Sequence, residues 1–278
     1  MSTDIFHYRL PERIRSVYVG AHKGRQQGMG MEFQTHAQLW RLPEPERIDI
    51  RASLCNPWQE LMVRVYRQNA SIPVVAVADL SASLGDGAKL EWVAKFTRAL
   101  GHSVAKTGDR FGFIGCDENI LPDFFRPPIK TNGAALAVSR RLKKYIPSGQ
   151  NSQALLQVNA HLPRSSLIFL LSDFYFNHDL LDKVLASLAR HYVVPVVLSE
   201  FQDLFITRRY GAGYLKDAET GQLRFVIWRP ALRRQLELRK KRHLQQVMAT
   251  CLQHGVKPLI INKQFSAGQL TEYFFPPG

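Results

Sequence analysis

From residue 73 onward the chain alternates between short valine- and leucine-rich runs and longer stretches with apolar residues at helical spacing. Pro73-Val74-Val75-Ala76-Val77-Ala78-Asp79 is a continuous apolar run that ends in an acid. Such a run suits a strand buried on both faces of a parallel sheet. A helix is predicted from about Lys89 to Lys106, with Leu90, Val93, Ala94, Thr97, Leu100 and Val104 on one face. Gly108-Asp109 makes a turn into a strand from Arg110 to Gly115. Leu121 to Arg126 reads as a short edge strand, because Pro122 and Pro127 remove backbone donors there. A helix from Gly133 to about Tyr145 is broken by Pro147-Ser148-Gly149-Gln150, and another starts near Asn151 or Ser152. Leu167-Ile168-Phe169-Leu170-Leu171-Ser172-Asp173 repeats the opening theme, followed by a helix from Asp179 to Arg190 and a strand from Tyr192 to Leu198. Tyr210–Tyr214 and Leu223–Trp228 predict a hairpin with Glu219-Thr220-Gly221 in the turn. Pro230 opens a long helix running to about His254, which Gly255 ends. A last strand from Val256 to Asn262 and a short helix from Gly268 to Phe275 close the chain. The alternation predicts a doubly wound, mainly parallel α/β sheet over residues 71–278.

Residues 1–70 follow a different pattern. Gly20, Gly24, Gly28 and Gly30, with prolines at 11, 43, 45 and 57, rule out a long helix. Leu61 to Tyr66 alternates and reads as a strand. This segment is expected to be an irregular arm with short strands.

Chemistry collects where strands end. Asp79-Leu80-Ser81-Ala82-Ser83 places one carboxylate and two hydroxyls on a loop between a strand and a helix. In open α/β sheets ligands bind at that edge. Parallel strands put their C-terminal ends on one side, so Asp173 would approach Asp79 if their strands are neighbours. Ser152 would add a hydroxyl from the same edge, with Asn151 as the alternative. Hard oxygen donors without sulfur or imidazole suit Mg2+ or Mn2+ better than Zn2+. Taken alone, the first loop equally suits helix capping and a tight turn.

Composition adds limits. The chain has 278 residues, 45% hydrophobic and 22% charged, which is ordinary for a globular protein. No apolar run is long enough to cross a bilayer and no signal-peptide h-region opens the sequence, so a soluble cytoplasmic protein is expected. Cys55, Cys116 and Cys251 lie far apart and are expected to be reduced, buried thiols. No H-E-x-x-H, G-x-S-x-G or Walker-type loop occurs. Net charge is +14, from 37 basic and 23 acidic residues, which favours acidic partners. No Asp or Glu occurs between Asp123 and Asp173, a window carrying Arg126, Lys130, Arg140, Arg141, Lys143, Lys144 and Arg164. A second basic cluster comprises Arg233, Arg234, Arg239, Lys240, Lys241 and Arg242. Each cluster alone is also what a solvated helix face looks like. Two rival functions are a metal-dependent phosphoryl-transfer enzyme or nuclease, and a nucleic-acid-binding module using the basic helices. Against the enzyme, no D-x-D pattern opens the first loop, and Asp117 and Glu118 read equally as an exposed turn.

The first loop, Asp79-Leu80-Ser81-Ala82-Ser83, resembles the metal-ion-dependent adhesion site (MIDAS) of von Willebrand factor A domains. By that resemblance Asp79, Ser81 and Ser83 are first-loop ligands and Asp173 the third-loop acid; Ser152 stands nearest the second-loop threonine, with Asn151 next. Arg25-Gln26-Gln27-Gly28-Met29-Gly30-Met31-Glu32-Phe33, Arg47-Ile48-Asp49-Ile50-Arg51-Ala52-Ser53 and Gly108-Asp109-Arg110-Phe111-Gly112 are similar to signatures of the MoxR-associated domain-of-unknown-function family 58. Glu44-Pro45-Glu46 replaces that family's usual G-D-D, and Ile50 its usual Trp. The resemblance implies a von Willebrand factor A-like, Rossmann-type fold carrying Mg2+ (or Mn2+ or Ca2+). It also implies a non-catalytic chaperone-type adaptor, working with a MoxR-type AAA+ ATPase on a client complex and similar to the accessory type found with methanol dehydrogenase.

Overall fold

Six strands of the computed structural model form one sheet in the order β10-β7-β6-β3-β4-β5. These are β3 (Pro73–Asp79), β4 (Arg110–Cys116), β5 (Ile120–Ile129), β6 (Leu167–Ser172), β7 (Tyr192–Leu198) and β10 (Leu259–Ile261). All neighbours are parallel except β4 and β5. The structure describes residues 5–10, 19–85, 87–130, 133–149, 151–163, 165–199, 211–216, 223–261 and 265–276. Pro11, Arg13, Arg15, Asp86, Gln150, Arg164, Tyr210, the turn at Glu219-Thr220-Gly221, and Asn262 lie outside them. The described residues divide into two units, one of residues 1–8, 73–106 and 110–278 and one of residues 9–72 and 107–109.

In the larger unit, β3 and β6 are buried along their whole length, as their unbroken apolar sequences demand. Alternate residues serve opposite layers. Val75, Val77, Ile168 and Leu170 join one cluster with Leu155, Val158, Leu181, Val184 and Val247. That face is covered by a 3-10 helix (Gln153–His161) and by helices α4 (His178–Ser187) and α5 (Pro230–Gln253). On the other face Phe169 lies 5.3 Å from the ring of Phe96 on α2 (Gly87–Thr107) and 6.2 Å from Phe274 on α6 (Ala267–Phe274). Phe6, buried and 6.0 Å from both Phe96 and Phe169, completes this aromatic layer. Edge-to-face rings add to the burial energy of their area. The fold is therefore the expected doubly wound, mainly parallel α/β sheet of the von Willebrand factor A-like, Rossmann type.

Several predicted elements differ in detail. The short edge strand is longer, and as β5 it carries Pro122, Pro127 and Pro128 on the antiparallel edge. α3 (Ala134–Leu142) stops before Tyr145. The helix expected after Gln150 is a 3-10 helix opened by Ser152. β8 (Gly211–Lys216) and β9 (Leu223–Trp228) form the expected hairpin. Gly255 takes φ +69° just after α5, the left-handed conformation a C-cap glycine accommodates. Cys116 and Cys251 are buried free thiols, but Cys55 is exposed, contrary to expectation. No described helix is long and apolar enough to cross a membrane.

The smaller unit holds one long ribbon instead of several short strands. β1 (Val19–Gln38) pairs antiparallel with β2 (Met62–Ala70), and the pairing shifts register four times. Three of the four shifts span a glycine, Gly20, Gly24 or the pair Gly28 and Gly30, a residue type common at bulges. The stretch Arg47 to Ser53 has a structural role here. Asp49 caps α1 (Ile50–Leu54), its Oδ1 accepting from the N–H groups of Arg51 and Ala52 at 3.1 Å. Its Oδ2 accepts from Arg64 Nε at 2.7 Å and pairs with His36 Nε2 at 3.1 Å. These donors hold the Asp49 carboxyl well below the usual carboxylate range, Arg64 first. Ser53 Oγ donates to the Asp49 carbonyl and accepts from the Met62 N–H, each at 2.8 Å.

Candidate functional site

The strand order reverses between β3 and β6: the chain leaves β3 towards β4 and returns to β6 on the opposite side. A crevice opens at the carboxyl ends of such a pair. Ala78 is registered with Leu171, so Asp79 and Asp173 emerge beside one another.

Asp79 is fully buried. Its Oδ2 accepts from Ser152 Oγ and from Ser172 Oγ, each at 2.9 Å, and its Oδ1 from the Ser81 N–H at 3.2 Å. Burial first, then the negative charge of Asp173, raise the Asp79 carboxyl above its ordinary 3.8; the bonds from Ser81, Ser172 and Ser152 work the other way. The first loop turns tightly after the strand. Leu80 N–H donates to the Cys116 carbonyl and Ala82 N–H to the Gly149 carbonyl, pinning the loop to two neighbours. Ser81 Oγ and Ser83 Oγ stand 3.1 Å apart, and Ser83 Oγ donates to Asp173 Oδ1 at 3.3 Å. Asp79, Ser81, Ser83, Ser152 and Asp173 thus come together, lining an open pocket of about 610 Å³.

Asn151 also lines the pocket, but its Oδ1 accepts from the Gln153 N–H at 3.1 Å, while Ser152 reaches Asp79. Asp117 lies outside the pocket's lining; its Oδ1 accepts from the Asn119 N–H and its side chain packs on Gly149. The first loop therefore does more than make a turn, because the Ser81 N–H meets Asp79 and the Ser83 hydroxyl meets Asp173.

Two residues at the site escape the sequence pattern. Ser172 donates to Asp79 and accepts from the Phe174 N–H at 2.9 Å. It looks like the last residue of an apolar strand, and its position just before the acid is the one available signal. Lys89 is almost fully buried; its Nζ donates to Asp173 Oδ2 at 2.9 Å and to the Ser83 carbonyl at 3.1 Å. A lysine in the first turn of a helix opposes the helix dipole, and that is the one signal the sequence offers for it.

The third loop is held in an uncommon conformation. Phe174 has φ +57°, the left-handed region that side chains seldom adopt. Its buried ring and the Ser172 bond hold it there. His243, from α5, donates through Nε2 to the Asp173 carbonyl at 3.0 Å and stacks on Tyr175 with ring centroids 4.1 Å apart.

Among the described residues no group of three or more His, Cys, Asp or Glu could hold a metal. A cation in this pocket must draw on serine hydroxyls together with the two carboxylates. That donor set is all hard oxygen and fits a small divalent cation that keeps some of its water. Asp79 itself accepts only from neutral donors in these bonds, two hydroxyls and one amide.

The family model described as "Protein of unknown function DUF58" matches residues 54–246. No curated protein matches. Among solved structures, an aerotolerance-related membrane protein from Bacteroides fragilis is 12% identical with a TM-score of 0.43, covering 74% of this chain and 97% of that one. The pilus adhesin SpaC from Lactobacillus rhamnosus GG is 12% identical with a TM-score of 0.43, over 75% of this chain and 30% of that one. Proximal thread matrix protein 1 from the mussel byssus is 15% identical with a TM-score of 0.39, over 73% of this chain and 46% of that one. With its family model spanning most of its length, the chain belongs to the DUF58 family, the MoxR-associated family with a von Willebrand factor A-like fold.

Proposed function

We propose that this protein is a non-catalytic, metal-dependent protein-binding adaptor that works with a MoxR-type AAA+ ATPase to assemble or activate a client complex. The observation that carries the reading is the convergence of Asp79, Ser81, Ser83, Ser152 and Asp173 on one open pocket at the sheet's switch point. Those residues would hold Mg2+ or a similar cation, which would supply a Lewis-acidic position for a carboxylate of the partner. The chain's own part is to fix the donors. Ser152 and Ser172 orient Asp79, Ser83 meets Asp173, and the loops keep the hydroxyls at the pocket floor. Exposed Arg140 and Arg141 in the last turn of α3, Lys143 and Lys144 just after it, and Arg234, Arg239, Lys241 and Arg242 on α5, favour an acidic partner surface.

Affinity purification of tagged protein in Mg2+ and in EDTA, with Asp79→Ala alongside, tests the reading. An AAA+ ATPase or client complex captured only with metal and intact Asp79 is the expected result. Capture that ignores both EDTA and Asp79→Ala refutes it. Metal-dependent hydrolysis of a phosphoester, lost in Asp79→Ala, would move the protein to the enzyme class. Nucleic acid retained in every condition would make it a basic binding module.

A further inference from the structure

Lys89 sits where an ammonium has two reasons not to be. Its side chain is 5% exposed, and it occupies the first turn of α2, where the helix dipole repels positive charge. A buried ion pair seldom repays its desolvation as stability. Its partner is Asp173, one of the two carboxylates of the pocket, and its second acceptor is the carbonyl of Ser83, a first-loop residue. The ammonium thus holds Oδ2 of Asp173, while Oδ1 accepts from Ser83 Oγ at 3.3 Å and from the Tyr175 N–H at 3.2 Å.

We propose that Lys89 is the fixed cation of this site and determines the charge of its loaded state. The inference rests on the metal-binding reading above. Asp79 and Asp173 bring two negative charges and Lys89 returns one. A divalent cation among them would leave one unit of positive charge, which a single carboxylate neutralises. Without Lys89 the same cation would be neutralised by the chain's own two acids, and an incoming carboxylate would find no net charge. Lys89 therefore weakens cation binding and reserves part of the cation's attraction for the partner's acid.

The test is Mn2+ binding, followed by titration calorimetry and by the electron paramagnetic resonance signal of free Mn2+, on the full chain. Lys89→Gln removes the charge and keeps a donor; Lys89→Arg keeps the charge. A like charge a few ångströms from the cation is worth about tenfold or more in affinity. Lys89→Gln is expected to bind Mn2+ about tenfold tighter than the wild type, with Lys89→Arg close to the wild type. The Gln variant should also gain more in melting temperature on adding Mn2+. If it does not fold, Lys89→Met read by the same two measurements takes its place. Equal or weaker Mn2+ binding by the uncharged variants, with binding lost in Asp79→Asn, overturns the role of Lys89 and leaves the metal site standing. Binding by the uncharged variants but not by the wild type supports the role and overturns the metal-loaded adaptor. Binding by none, or unchanged in Asp79→Asn, overturns both.

Discussion

Ser172→Ala isolates the part of the site built by the strand instead of the loops. The hydroxyl does two things: it donates to Asp79 Oδ2 at 2.9 Å and accepts from the Phe174 N–H at 2.9 Å. A hydrogen bond to a charged group is worth roughly 1.5–3 kcal/mol, and a buried N–H left without an acceptor costs about 1–3 kcal/mol. Asp79 has its pKa raised by burial, so the first contribution falls towards the lower end of its range. One hydroxyl makes both bonds, so the two do not simply add, and the expected loss is roughly 2–4 kcal/mol. Ser152→Ala is the comparison: it removes a bond of the same length to the same oxygen, and in its case the loss is about 1–2 kcal/mol. Urea unfolding followed by circular dichroism in EDTA reads both variants as a lower midpoint at unchanged slope. If Ser172→Ala costs no more than Ser152→Ala, the Phe174 N–H does not depend on the hydroxyl. The account of how the left-handed turn after Asp173 is held would then be wrong.

Two further predictions follow from other parts of the larger unit. A Cβ at Gly149 would meet Asp117 Cγ and Oδ2 at 2.8 Å, and the Gly149 carbonyl receives the Ala82 N–H; Gly149→Ala should displace the first loop and weaken Mn2+ binding while leaving the sheet intact by circular dichroism. His191 accepts from the Ser166 N–H through Nδ1, and burial, then Arg190, push it from 6.5 down to about 4. The unfolded chain therefore binds the proton first, so stability should fall as pH drops from about 6.5 towards 4, and His191→Gln should flatten that slope in denaturation midpoints.

The central strands were legible because unbroken apolar runs such as residues 73–78 and 167–171 admit few other environments. The juxtaposition of Asp79 and Asp173 was legible too, since parallel neighbours share an edge. Ser152 against Asn151 was not, because both side chains suit a helix start and only the backbone path decides which one turns inward. Lys89 was hidden by the rule that lysines sit on helix surfaces, which its pairing with an acid 84 residues away overrides. The ribbon of β1 was hidden by its glycines, which read as breaks when bulges absorb them.

Both borders of the central sheet are poor templates for another strand. On one side β5 carries three prolines, which lack the N–H a guest backbone would need, and on the other β10 spans three of the described residues. Adding a strand is the least selective way to hold a polypeptide, because every sequence has the same main chain. A visitor to this sheet is offered little of that generic adhesion, so its side chains must supply the match. The same bluntness keeps a highly expressed copy from stacking edge-to-edge on its neighbours, and it leaves the loops above β3 and β6 free to diverge without inviting misassembly.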